Sequence, residues 1–236
     1  MNISVIIPAI NEEASIERAV RSGFQAGASE VIVADGGSND ATREIAASLG
    51  CRVITCPAGR ASQQNHGAAD AQGDILLFLH ADCSLGTECI DQIRSATESS
   101  PNCYGGFRQK IDHPGRIYRM LESGNAQRIR ILKLIYGDQG IFLPRQLFDE
   151  LDGFADVPLM EDVILSRQLG RRSRPQLLPG PIQVGARRWV ARGPIRQTVR
   201  NWSFLLGFAL GVSPEALAKR YPRHDQAKDG LETEAD

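Results

Sequence analysis

Long apolar runs are missing from this sequence. The longest near the C-terminal end, WSFLLGFALGV from Trp202 to Val212, falls well short of the ~20 residues a membrane-crossing helix requires. Cysteine is sparse and unpatterned: Cys51, Cys56, Cys83, Cys89 and Cys103 make an odd number without CxxC spacing. That excludes the usual zinc knuckles and a disulfide framework, and the five are expected to be reduced thiols. Net charge is nearly absent as well, at -1. No global field exists to draw in nucleic acid, which is not expected as a partner. The opening MNISVIIPAINEE has neither a basic stretch nor a long apolar one, so no signal peptide is expected and the location read from it is cytoplasmic. Phosphate-loop glycines are missing too. The first turn, PAINEE, contains neither GxGxxG nor GxxxxGKS/T, and Glu12 and Glu13 would repel a pyrophosphate laid there. A dinucleotide-dependent dehydrogenase, a P-loop NTPase and a nucleotidyltransferase are all poor fits.

What is present is a repeated strand-helix rhythm. With 236 residues and 42% hydrophobic composition, the chain can bury one large core, so a single domain is expected. ISVIIP (Ile3 to Pro8) is apolar on both faces, as a buried parallel strand should be, and Ile16, Val20 and Phe24 then follow at helical spacing. Asn11 is placed to cap that helix. EVIVAD (Glu30 to Asp35), CRVITC and the strand that includes Ile75 to Leu79 complete four units; Ala41, Ile45 and Leu49 mark the inner face of the second helix and Gly50 its end. This is an α/β pattern: a mostly parallel central sheet in one Rossmann-like domain, with helices on both faces and further helices near the C-terminus. YGGFRQKI and DQGIFLP are expected to be strands, with helices around Arg116 to Arg130 and over Glu161 to Gly170. The last residues, 221–236, read as a flexible acidic tail.

In open parallel sheets, ligands bind at the carboxyl ends of the strands, and all four strands stop in polar residues. The fourth runs into His80, Ala81 and Asp82. A carboxylate there can hold Mg²⁺ or Mn²⁺, with His80 beside it on the same pleat face; equally, Asp82 can cap a following turn or helix. Asp35 can accept hydrogen bonds from a nucleobase or ribose, or close an Asx turn through GGSND. Glu161 and Asp162 begin a helix, where a carboxylate stays ionised and can act as a general base; two acids in a first helical turn also simply stabilise a helix. In ARRWVARG, Trp189 can stack on a sugar with Arg187 or Arg188 on a diphosphate, or pack in the core. Glu161 to Arg200 carries nine arginines against two acids, and with the apolar WSFLLGFALGV segment it suggests peripheral contact with a membrane.

Taken in order, VIIPAINEE, VADGGSND, HAD after an apolar strand, and LMEDV resemble the family 2 glycosyltransferases, whose catalytic domain has the GT-A fold. Within that family the chain looks most like small stand-alone members associated with arsenosugar biosynthesis. The resemblance implies one domain over 1–220, with a nucleotide-binding half (1–100) and an acceptor-binding half (101–220). It implies an inverting, metal-assisted transfer of a sugar from a UDP- or GDP-linked donor to an acceptor hydroxyl, on a small molecule or a lipid-linked one. Pro8, Asn11, Glu12, Asp35, Arg60 and Ala81 would then bind the nucleotide. Asp82 and His80, in place of the family's DxD, would hold Mn²⁺ or Mg²⁺. Asp162 would be the base with Glu161 in support, and Arg188, Trp189, Asp138 and Gln139 would meet the acceptor and diphosphate. Loss of catalysis, leaving a sugar-nucleotide-binding module, is the alternative.

Overall fold

In the computed structural model, which describes residues 1–221 apart from the side chains of Arg187, Arg188 and Ala191, the N-terminal strands alternate their side chains between two cores. β1 (Ile3–Ala9) sends Ile3, Val5 and Ile7 to one side, where Ile16, Ala19 and Val20 of α1 (Ile16–Gln25) meet them. Ile6 points the other way, toward Ala61 and Ala68 of α3 (Arg60–Asp70). Both faces being covered is why the strand reads as an unbroken apolar run. α3 is built of small residues because it lies close: a Cβ on Gly67 would come within 2.5 Å of Ile6 Cγ2.

β1 is flanked in parallel by β2 (Glu30–Asp35) and β4 (Ile75–Phe78), and β3 (Arg52–Thr55) continues the sheet beyond β2. α2 (Thr42–Ser48) follows β2. Past β4 the sheet becomes mixed. β7 (Ile141–Pro144) runs antiparallel to β4, β6 (Gly105–Ile111) antiparallel to β7, β8 (Gln176–Val184) parallel to β6, and β5 (Cys83–Leu85) antiparallel to β8. The order across this eight-stranded sheet is β3-β2-β1-β4-β7-β6-β8-β5. Helices α4 (Cys89–Ser99), α5 (Arg116–Leu132), α6 (Arg145–Asp149) and α7 (Glu161–Arg172) pack on it, and α8 (Arg187–Arg192), α9 (Pro194–Ala209) and α10 (Pro214–Ala218) follow. All five cysteines are free.

Local expectations need correction at several points. α1 starts at Ile16, so Asn11 does not cap it; Asn11 is left-handed (φ 52°) and its Oδ1 accepts the Asn39 N–H, tying two loops together. Phe24 is exposed rather than inward. On α2 the buried positions are Thr42 and Ala46, while Ala41 lies outside. β4 ends at Phe78, so His80 and Asp82 sit in a turn, closed by the Cys83 N–H donating to His80 O, and share no pleat face. In DQGIFLP only Ile141 to Pro144 is strand; Gly137–Gln139 is a turn of 3-10 helix. The expected tail lies, from residue 222 on, outside the described residues.

Candidate active site

Gln63 fixes the floor of the site. Its Nε2 donates to Ala9 O at 2.7 Å and to Ala34 O at 2.9 Å, tying α3 to the carboxyl ends of β1 and β2. Above this floor opens a cleft of about 150 Å³ lined by Pro8, Glu12, Arg60, His80, Ala81 and Asp82, among others. A second cleft of about 110 Å³ adjoins it, with Tyr136, Asp138, Asp162 and Asn201 in its wall. Arg60, His80, Leu159 and Tyr221 face both. Asp82 and Asp162, from separate loops, therefore look into neighbouring halves of one crevice.

Met160 precedes α7 in a left-handed conformation (φ 73°). For a residue with a Cβ this costs about 1–3 kcal/mol and persists only where the surroundings enforce it. Here it turns the chain so that Glu161 and Asp162 both occupy the first helical turn. Glu161 is 2% exposed and its Oε1 lies 3.0 Å from Arg60 Nη1, an ion pair joining α3 to α7. Asp162 accepts the Gly137 N–H through Oδ2 at 2.9 Å and the Val163 N–H through Oδ1 at 2.7 Å. Burial first, and then the charge of Glu161, push the Asp162 carboxyl up to about 7, against the opposing effect of those two N–H groups and Arg60. The helix N-terminus does not keep this acid firmly ionised, contrary to expectation, because desolvation outweighs it. A carboxyl tuned near neutrality suits a general base.

Gly137 connects the two clefts. Its N–H holds Asp162, while a Cβ on it would lie 2.2 Å from His80 Nε2. Only glycine lets the imidazole seat against this turn, so His80, Gly137 and Asp162 form a contiguous chain of contacts.

Among the described residues, no group of three or more His, Cys, Asp or Glu side chains converges as a metal cage. His80 packs the Nε2 edge of its ring against Gly137, at the rim shared by the two clefts. The half-buried Asp82 carboxylate stands in the cleft wall, a hard oxygen donor of the kind a divalent cation takes. One carboxylate and one imidazole are too few for a resident, all-protein site and suit only a divalent cation that brings other ligands with it.

The other expected residues divide. Pro8, Glu12, Arg60 and Ala81 line the first cleft and Asp138 the second. Asp35 is fully buried in the Asx turn: Oδ2 accepts the Gly37 and Ser38 N–H groups and Oδ1 the Ser38 hydroxyl. Asn11 supports the same loops and, like Asp35, is not in the cleft wall. Gln139 is 0% exposed, its Oε1 accepting from Arg128, so it positions that arginine rather than meeting an acceptor. Trp189 is largely buried in the core and also lines a small side cleft with Asp138. The Arg188 side chain lies outside the described residues. Sequence reasoning missed Tyr136, Gly137, Arg128, Asn201 and Tyr221. Of these only Gly137, in YGDQG, carried a turn signal.

Residues 4–155 match the family model described as "Glycosyl transferase family 2". The 4,4'-diaponeurosporenoate glycosyltransferase of Staphylococcus haemolyticus is 38% identical over 96 residues, 37% of this chain and 26% of that protein. An uncharacterised glycosyltransferase of Rickettsia bellii is 40% identical over 92 residues, 39% of this chain and 31% of the other. The matches thus span only about a quarter to a third of these curated relatives. Among solved structures, S. aureus TarS 1-349 in complex with UDP-GlcNAc superposes with a TM-score of 0.62 at 18% identity, over 78% of this chain and 58% of that one. Glucosyl-3-phosphoglycerate synthase from Mycobacterium tuberculosis, in complex with Mn²⁺, UDP and glucosyl-3-phosphoglycerate, superposes with a TM-score of 0.53 at 24% identity, over 78% of this chain and 70% of that one. At such identities these likenesses establish the GT-A type of fold. The family model covers well over half of the sequence and every residue of the first four strands except Ile3, and on that match this chain belongs to glycosyl transferase family 2.

Proposed function

We propose that the crevice transfers a sugar from a nucleoside diphosphate donor to an acceptor hydroxyl with inversion at the anomeric carbon. Residues 1–100 hold the donor and residues 101–220 the acceptor. The observation that carries this reading is the contiguity of His80, Gly137 and Asp162, which sets a carboxyl tuned to about 7 next to the cleft walled by Asp82. The TarS and glucosyl-3-phosphoglycerate synthase structures include complexes with UDP or a UDP-sugar, which favours UDP over GDP as the donor base here.

In this mechanism Asp162 accepts the proton of the acceptor hydroxyl as its oxygen attacks the anomeric carbon. The bond from that carbon to the diphosphate breaks, and its electron pair leaves with the nucleotide. Arg60, lining both clefts, faces the departing charge while holding Glu161. Asp82, with His80 beside it, would hold a divalent cation, Mn²⁺ or Mg²⁺, which would neutralise charge on the diphosphate. The acid of Glu161 is consumed by its ion pair and acts through Asp162, keeping its carboxyl high. Among the described residues nothing in the chemistry of the clefts is specific to an arsenical substrate; the walls offer carboxylates, a guanidinium, an imidazole, phenols, amides and apolar surface.

The test is release of UDP from UDP-sugars in the presence of Mn²⁺, with water or added acceptors. Activity that requires the cation and vanishes in Asp162→Asn supports the reading. Nucleotide binding with no turnover under any acceptor would instead favour a binding module that has lost catalysis.

A further inference from the structure

Helix α9 leaves an apolar face uncovered. Leu205 packs with Leu134 and Val163, whereas Ile195 (67% exposed), Val199 (62%), Trp202 (49%) and Leu206 (60%) stand in solvent. Their spacing of four, three and four residues places them within about 60° of helical arc, a single stripe. Leu210, 76% exposed, extends it past the helix end. Contiguous apolar surface of this kind marks an interaction site.

The charge beside the stripe identifies the partner. Arg187, Arg188, Arg192, Arg196 and Arg200 occur in fourteen residues with no acid between them. Arg196, next to Ile195 on α9, is exposed at one edge of the stripe, and Arg192, at the end of α8, is exposed as well. Their proximity lowers the guanidinium pKa of Arg200, burial being the larger cause. A second copy of the chain meeting this face across a two-fold axis would set arginine against arginine. An anionic surface meets no such repulsion. Among the described residues no helix is long and apolar enough to cross a membrane, and α9, with 16 residues, has the pattern of a helix that lies in the interfacial plane, with a tryptophan on its apolar side and arginines beside it.

Position links this face to the chemistry. Asn201 and Phe204 of α9 line the second cleft, beside Asp162, and Trp202 lines a smaller adjoining one with Trp189 and Asp138.

We propose that the protein docks on anionic bilayers through the Ile195–Val199–Trp202–Leu206 stripe and its flanking arginines, and takes an amphiphilic acceptor whose hydroxyl enters the second cleft from the lipid surface. The identity of the acceptor rests on the transfer reading; the docking does not.

The experiment is sedimentation of the full chain with vesicles of phosphatidylcholine alone or with about one third phosphatidylglycerol. Binding is expected only to the anionic vesicles. It should fall severalfold between 0.1 and 1 M salt, as the screening length drops from about 10 to 3 Å, and Trp202 emission should shift to the blue. The double variant Val199→Asp/Leu206→Asp, whose residues line neither cleft, should lose at least tenfold in vesicle binding while keeping its UDP- and Mn²⁺-induced thermal shift. Binding that is absent, insensitive to lipid charge, or unchanged in the double variant overturns the proposal. A wild-type dimer that the double variant dissociates, without vesicle binding by either, assigns the stripe to a second copy and also overturns it. Vesicle binding without any turnover or nucleotide effect upholds the docking surface and removes the transfer reading instead.

Discussion

Asp162 is the residue on which opposing demands meet. Its carboxyl titrates near 7 in the folded chain and at 3.8 in the ordinary case. Between those values the folded chain holds a proton that the unfolded chain has released, so this group's contribution to stability falls as pH rises through the window and is lowest above it. As the proposed base it must be ionised, so kcat/KM should rise with pH through about 7 and level off where Asp162 destabilises the fold most. Asp162→Asn cuts both ties. The amide oxygen can still accept the Gly137 N–H but gives up the Val163 N–H; transfer should fall by about 10²–10⁴-fold, the usual worth of a general base, and melting at pH 8 should on balance rise, by about 2–4 °C for each kcal/mol regained. A rate plateau that persists to pH 5 in the native protein, or a variant that melts lower at pH 8, would remove Asp162 from this role. Gly137 is tested by one methyl group. Gly137→Ala puts a carbon where His80 sits, so transfer should drop at least tenfold. The chain should still fold, since the imidazole is half-buried and can swing away.

At the level of elements, α3 and α7 are fastened by Arg60 and Glu161 across the mouth of the crevice. Arg60→Ala would strand a carboxylate that is 2% exposed. Fully buried pairs broken this way cost about 3–5 kcal/mol, but the Arg60 side chain is 37% exposed, which reduces the expected loss to about 1–3 kcal/mol. Urea unfolding should show that loss, and Arg60→Met/Glu161→Met should recover most of it by removing both charges together. The same two helices show what was readable beforehand. α7 announced itself through paired acids and apolar periodicity, and β1 and β2 through β-branched runs buried on both faces. β8 did not, because QLLPGPIQV places Pro179, Gly180 and Pro181 in mid-strand, the composition of a loop. β5 has three residues, too few for any periodicity. Helix α4, the helix allowed for after Asp82, does form, with Cys89, Ile90, Ile93 and Thr97 buried at helical spacing.

Across the whole molecule, motif order revealed which strand ends meet, and the parallel half came out as expected because strand burial is written locally. The partners across the crevice were not visible. Gly137 and Tyr136 reach Asp162 only because β7 enters antiparallel between β4 and β6, a pairing with no local signature. The Asx turn at Asp35 shows the converse: DGGSND permitted either a ligand contact or a self-closed loop, and the loop does close on itself. This architecture makes donor binding and acceptor chemistry separable. A ligand that binds only the folded chain stabilises it by about 2.7 kcal/mol at one hundred times its dissociation constant, which for a chain of this size corresponds to a rise of roughly 5–10 °C in melting temperature. UDP with Mn²⁺ should produce such a shift in the native protein and in Asp162→Asn, whose change lies in the second cleft. Asp82→Asn should lose the part that depends on Mn²⁺ while retaining any shift caused by UDP alone. Equal Mn²⁺ dependence in both variants would mean that the cation is held elsewhere, and the division of labour between the two clefts would have to be drawn differently.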